Sequence, residues 1–181
     1  MVDQAVHYSS QASDWETPPE LVSDLLSVFR FDLDVCASRP NVCDRFYSPQ
    51  DDGLSKFWHG LCWMNSPYSR KHKIGEWMSK ALSSSLTNGA TVVCLPPART
   101  STRWWHATVP WATLVVFIKG RLHFRRPGAP DVSLPAPFPS AFVVFGPLST
   151  DEELNLRKYG WSVTMKGESK WHRKQKSEGS T

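Results

Sequence analysis

Four consecutive residues, Asn65-Ser66-Pro67-Tyr68, combine groups suited to work on a conjugated amine. The exocyclic amine of a nucleic-acid base shares its lone pair with the ring and is a poor nucleophile. Two acceptors that bind both amine hydrogens favour a pyramidal nitrogen with a localised lone pair. The Asn65 side-chain oxygen and the Ser66 carbonyl can supply them without a strong base. Pro67 pushes the residue before it toward extended geometry and so fixes the direction of that carbonyl. Tyr68 offers an aromatic face on which a base taken out of its stack can rest. A methyl carried on a sulfonium leaves a neutral group behind, so alignment is the main requirement for its transfer. The same four residues also suit a plain turn after a strand, and taken alone they favour that reading.

Their setting adds weight. Leu61-Cys62-Trp63-Met64 is an apolar run, read as a strand that delivers Asn65 at its end. Helical spacing then runs through Ile74, Trp77, Met78, Ala81, Leu82 and Leu86 until Asn88-Gly89 stops it. Upstream, Thr17-Pro18-Pro19-Glu20 has the form of a helix start, with Thr17 as N-cap and Glu20 closing a capping box. Leu21, Val22, Leu25, Leu26 and Phe29 continue it as an amphipathic helix over about 18–29, followed by a strand from Phe31 to Cys36. Further strands are expected at Ala90–Leu95, Thr113–Phe124 and Ala141–Phe145, with short helices at Thr102–Val109 and Asp151–Tyr159. A Pro-rich loop is expected over 127–139.

Alternating helices and strands predict an α/β fold: a mostly parallel sheet ending in an antiparallel strand pair, covered by helices on both faces. Ligands in such sheets sit beyond the carboxyl ends of the strands. Three polar clusters fall there: Asp34 to Ser38, Asn65 to Tyr68, and Pro96 to Thr100.

A chain of 181 residues with 40% hydrophobic content suits one domain with a real core. The expected division is a flexible lead-in over 1–13, a folded domain over 14–160 and a basic, disordered tail over 161–181. The tail carries +3 of the net +4, which suits a solvated end or a sequence-independent attraction to phosphates. No run of about 18 apolar residues suggests a membrane span. The polar N-terminus is unlike a secretory signal, so an intracellular, cytoplasmic protein is expected. Cys36, Cys43, Cys62 and Cys94 form no C-x-x-C pair and are read as reduced core thiols. His59, His72 and His106 lack metal-ligand spacing, so no metal is expected. Lys119, Arg121, His123 and Arg125 alternate, which would place them on one face of a strand, facing either DNA phosphate or solvent. Arg99, Arg103, Trp104 and Trp105 follow a strand end, where they could touch DNA or cap a base pocket.

The ordered motifs resemble the phage-type DNA N-6-adenine methyltransferase (Dam-like) family. They are Trp15-Glu16-Thr17-Pro18-Pro19-Glu20, Phe31-Asp32-Leu33-Asp34-Val35-Cys36-Ala37-Ser38, Asp52-Gly53-Leu54 with Trp58, and Trp63 to Ser69. Leu95 to Thr100 with Trp104, Lys119-Gly120-Arg121-Leu122-His123-Phe124 and Pro137 to Ala141 complete the series, so the resemblance covers roughly 14–146. It implies a Rossmann-like methyltransferase fold, S-adenosylmethionine as cofactor and adenine N6 in DNA as target, in a phage- or prophage-encoded enzyme. Under it, Asn65, the Ser66 backbone, Pro67 and Tyr68 match the catalytic N-P-P-Y motif. Asp34, Cys36, Ala37 and Ser38 match the strand-end motif against the cofactor. Thr17 and Pro18 match the motif that holds its methionine part. Asp52 is the carboxylate expected near the adenosine, with Asp51 next in line. Arg99, Arg103, Lys119, Arg121 and Arg125 are the expected DNA contacts.

Two residues depart from the family pattern. Ser66 replaces the usual first proline, keeping the carbonyl but loosening the turn. The strand-end motif lacks a Gly-rich turn, so close backbone approach to the cofactor falls to Ala37 and Ser38. Cytosine N4, RNA or a protein Gln side chain are alternative targets of the same chemistry. A catalytically silent relative that binds DNA or cofactor is the alternative of a different class.

Overall fold

Side chains alternate between two apolar faces along the central strands of the main sheet, and that alternation dictates the layers. The computed structural model describes residues 17–37, 42–67, 74–126 and 129–165. Strands β1 (Leu33–Asp34), β2 (Leu61–Met64) and β3 (Thr91–Cys94) pair in parallel. Strand β4 (Leu114–Ile118) runs the same way but is separated from β3 by β7 (Ala141–Phe145), which is antiparallel to both. Strand β8 (Gly160–Thr164) lies antiparallel along the far side of β4, giving the order β1-β2-β3-β7-β4-β8.

Cys62, Met64, Val92, Cys94, Val115 and Val143 face one way. They pack under α2 (Ile74–Asn88) and α3 (Arg103–Thr108) through Trp77, Met78, Ala81 and Trp105. Trp63, Val93, Leu95, Leu114, Val116, Phe142 and Val144 face the other way, against α1 (Pro19–Leu26) and α4 (Thr150–Arg157) through Leu21, Val22, Leu25 and Leu156. Helices thus cover both faces. Both layers rest on burial of large apolar side chains, each contributing roughly 1.5–3 kcal/mol.

Several expectations are corrected. The sheet is mixed rather than mostly parallel, because β7 returns between β3 and β4 and must oppose each of them. The long strand expected over 113–124 breaks after Ile118: Gly120 takes a positive φ of 80°, and the chain re-enters as β5 (His123–Arg126). β5 pairs with β6 (Ala129–Pro135) in a separate hairpin, so much of the expected Pro-rich loop is strand. Lys119 and Arg121 consequently lie in the connection and do not share one strand face with His123 and Arg125. The fold also runs into the expected tail, since β8 occupies Gly160–Thr164. Finally, Thr17 does not cap α1. Pro18 holds the N-cap position with no side-chain cap bond, whereas α4 has the full capping box of Ser149 and Glu152. The lead-in expected over 1–13 and the rest of the expected tail lie outside the described residues.

Among the described residues no helix is long and apolar enough to cross a membrane.

Candidate active site

The parallel strands β1, β2 and β3 bring their carboxyl ends to one edge. Val35 donates its N–H to the Trp63 carbonyl at 3.1 Å, and Leu95 donates to Met64 at 2.9 Å, so the three strand ends stay in register past the formal strands. Asp34 to Ala37, Asn65 to Pro67 and the segment after Leu95 are thereby neighbours. Tyr68 and Ser38 lie outside the described residues.

Asn65 is half-buried, and its Nδ2 donates to the Thr17 hydroxyl at 3.0 Å. Thr17, 4% exposed, comes from the segment leading into α1, 48 residues away in sequence. The bond joins the upstream motif to the tetrapeptide. Ser66 is 2% exposed, and its hydroxyl has no hydrogen-bond partner among the described residues. Pro67 follows, half-buried. On the neighbouring strand end, the Cys36 thiol is hydrogen-bonded to the Asn65 backbone, while burial first and the Asp34 charge second push it far above the usual thiol range.

Asp34 is held on both sides. Its strand pairs with Trp63 of β2 and forms a bridge with Phe46, whose neighbours Arg45 and Tyr47 exchange backbone hydrogen bonds with it at 2.9 Å. Asp34 is only 3% exposed, and among the described residues its carboxyl accepts one bond, from Cys36 N–H at 3.1 Å. One such bond does not offset the lost hydration, so burial raises the carboxyl to about 7. Ala37 is buried beside it, its N–H on the Tyr47 carbonyl at 3.0 Å.

The 48–58 segment closes over the end of β1. Gly53 lies so near Val35 that a Cβ there would fall 2.1 Å from the Val35 carbonyl oxygen and 3.2 Å from Trp77. Trp58, fully buried and stacked on Trp77, donates from its indole to the Gly53 carbonyl at 2.8 Å. This cradle holds exposed Asp52, in the left-handed region with φ 52°, next to the strand end. Asp51 is occupied differently: the Ser48 hydroxyl and N–H both donate to it, holding it below the usual carboxylate range. Gly53 was legible as part of the Asp52-Gly53-Leu54 motif, but the close approach that requires it was not.

Exposed cations stand at the same edge. Arg99 and Arg103 follow β3, with the Arg99 guanidinium 5.9 Å from the Phe138 ring centre. Lys119 and Arg121 follow β4, which points the same way. Arg125 lies on β5, its side chain outside what is described. Trp105 is core, packed on Phe117. The segment after β3 is fastened by a bridge between Pro97 and Ser140 and by Ala98 N–H on the Pro139 carbonyl at 2.8 Å. Among the described residues no group of three or more His, Cys, Asp or Glu side chains converges on a common point.

Comparison with known proteins gives this edge its context. A family model described as DNA N-6-adenine-methyltransferase (Dam) matches residues 5–153. The DNA N-6-adenine-methyltransferase of Haemophilus phage HP1 (strain HP1c1) is 36% identical over 91 residues, covering 49% of this chain and 51% of the relative. The matched stretch spans about half the length of that curated relative. No solved structure matches. With the motifs in order along the chain and gathered at one sheet edge, the chain belongs to the DNA N-6-adenine-methyltransferase (Dam) family.

Proposed function

We propose that this chain transfers a methyl group from S-adenosylmethionine to the N6 amine of adenine in DNA. The observation that carries the reading is the placement of Asn65 at the carboxyl end of β2, its amide nitrogen engaged by Thr17 and its neighbours Asp34 and Cys36 on the adjoining strand end. The main sheet is read as a Rossmann-like core into which β7 is interleaved. The phage relative favours action in an infected bacterial cytoplasm.

Asn65 and Ser66 act on the amine. The Asn65 Oδ1 and the Ser66 carbonyl accept its two hydrogens, drawing the nitrogen out of conjugation and localising its lone pair. Tyr68 is the aromatic on which the flipped base stacks; unstacking costs a few kcal/mol, which that contact helps offset.

The residues present fit the proposed cofactor. Gly53 packs so tightly on the Val35 carbonyl that a Cβ would clash, which holds Asp52 beside the strand end, and buried Asp34 has a single side-chain hydrogen-bond partner among the described residues. Thr17, Pro18, Asp34, Cys36, Ala37, Ser38 and Asp52 would hold the cofactor, Thr17 and Pro18 at the methionine part and Asp52 at the adenosine. When bound, it supplies an electrophilic methyl on a sulfonium whose departure leaves a neutral thioether. The chain's share is alignment, which can account for many orders of magnitude in rate. Arg99, Arg103, Lys119, Arg121 and Arg125 contact phosphates and position the duplex without reading sequence.

Labelled S-adenosylmethionine and unmethylated DNA test this directly. After digestion, label is expected in N6-methyladenine. Label in N4-methylcytosine would move the target, and none in any nucleic acid despite cofactor binding would overturn the reading.

A further inference from the structure

Trp161, on the edge strand β8, is 69% exposed, the most exposed large apolar side chain among the described residues. Scattered apolar side chains on a surface are ordinary, but this one is held in a fixed attitude. It stands opposite Phe117 in the pairing of β4 with β8, and the two rings stack with centres 5.3 Å apart. Half-buried Phe117 packs in turn on Trp105 of α3. Gly160 brings β8 so close to β4 that a Cβ there would fall 2.0 Å from the Phe117 carbonyl oxygen. One face of the Trp161 indole therefore rests on Phe117, and its exposure leaves the other turned outward.

The charge beside it is positive. Lys119 donates its N–H to the Tyr159 carbonyl at 2.9 Å, so the pairing continues past Ile118 and alternation puts Lys119 on the face of Phe117 and Trp161. Lys119 is exposed, as is Arg121 two residues on. The neighbouring acids are engaged elsewhere. Glu153 pairs with Arg157, which also reaches Ser162 and Thr164 on the opposite face of β8, and Asp24 pairs with Lys158. A fixed aromatic plane flanked by cations suits a strand of phosphates carrying flat bases. It suits a second copy of this chain poorly, because Ser162 and Val163 beside it are half-buried and add little of the area a stable dimer needs.

We infer that Trp161 is a stacking platform for an unpaired base of the DNA strand. A base inside a duplex has both faces covered by its neighbours, so only one that has left the helix can use the platform. Trp161 and Asn65 both lie at the carboxyl edge, on strands four places apart, a separation of roughly 19 Å at one strand spacing per place. At about 3.4 Å per stacked nucleotide, the platform serves a position about five or six nucleotides from the one at Asn65. The inference rests on the proposed action on DNA and names the form of DNA that the surface takes.

Binding of a single-stranded oligonucleotide and of its duplex to the full chain, followed by fluorescence anisotropy, tests this. Trp161→Ala is expected to weaken single-strand binding by about 10- to 100-fold, the loss of one stacked base, and to leave duplex binding nearly unchanged. Trp161→Phe, which keeps a flat ring, should stay within a few-fold of wild type on both. Wild-type affinity for the single strand in Trp161→Ala, an equal loss on both forms, or no rescue by Trp161→Phe would each overturn the inference. Sedimentation of the free protein covers the rival occupant: a dimer that Trp161→Ala dissolves would give this face to a second copy. Binding of neither form by wild type would overturn the proposed function as well. Methyl transfer to adenine by wild type, together with any of the earlier contrary results, leaves that function standing and removes only the part of Trp161.

Discussion

Asp34 and Ser66 each bury a polar group at a cost in free energy, and both belong to the proposed site. Burial raises the Asp34 carboxyl from 3.8 to about 7. Between those values the native protein keeps a proton that the unfolded chain releases, so stability falls as pH rises through that window and levels off above it. The expected size is a few kcal/mol, at about 1.4 kcal/mol per unit. Asp34→Asn keeps an acceptor for the Cys36 N–H and removes the titration. Its melting temperature should exceed wild type at pH 8 and lack the wild-type decline between pH 4 and 7, while its affinity for S-adenosylmethionine drops. An unchanged pH slope in thermal melts would contradict the assignment. Ser66 carries a buried hydroxyl without a partner among the described residues, which costs roughly 1–3 kcal/mol. Because its proposed role belongs to the carbonyl, Ser66→Ala should gain about 1 kcal/mol in denaturant melts with activity within three-fold. A large loss of kcat would assign the hydroxyl a part in the reaction. The motif residues themselves were legible in the sequence. The bond between Thr17 and Asn65 was not, because Thr17-Pro18-Pro19-Glu20 reads as a local helix start and nothing in that pattern marks a partner 48 residues away.

At the scale of elements, strands and helices follow from apolar periodicity, and β2, β3, α2 and the core of β7 lie where that periodicity places them. What periodicity cannot supply is spatial order. An apolar run such as Ala141–Phe145 carries no mark of the strands it will lie between, and here it enters between β3 and β4. Gly120 could have signalled the break after β4, but an isolated glycine in an apolar stretch is also tolerated within strands. Edge strand β8 is only half-buried and follows a helix with little apolar character, so its signal is weak. The Gly53 cradle depends on packing between distant segments. Gly53→Ala should therefore destabilise the fold by about 1–3 kcal/mol, the usual cost of overpacking. Cofactor affinity should weaken with it. A chemical melt and a calorimetric titration on the variant check both, and wild-type values in each would remove the cradle from the site.

Across the whole molecule, the main consequence of the fold is polarity of position. Strands β1 to β4 all point to one edge, where the motif residues and four exposed cations are gathered. Affinity for DNA should fall steeply with salt. Arg99→Ala, Arg103→Ala, Lys119→Ala and Arg121→Ala each remove one cation from the proposed phosphate contacts. Each should reduce the slope of log K against log salt by about 0.9. A slope unchanged in all four would place the duplex elsewhere. The central claim is that Asn65 directs methyl transfer to adenine N6. It is tested most directly by nucleoside mass spectrometry of DNA incubated with S-adenosylmethionine and either wild type or Asn65→Ala. The account predicts N6-methyladenine from wild type, none from Asn65→Ala, and nearly equal cofactor affinity in the two. N6-methyladenine formed at wild-type rate by Asn65→Ala would contradict it.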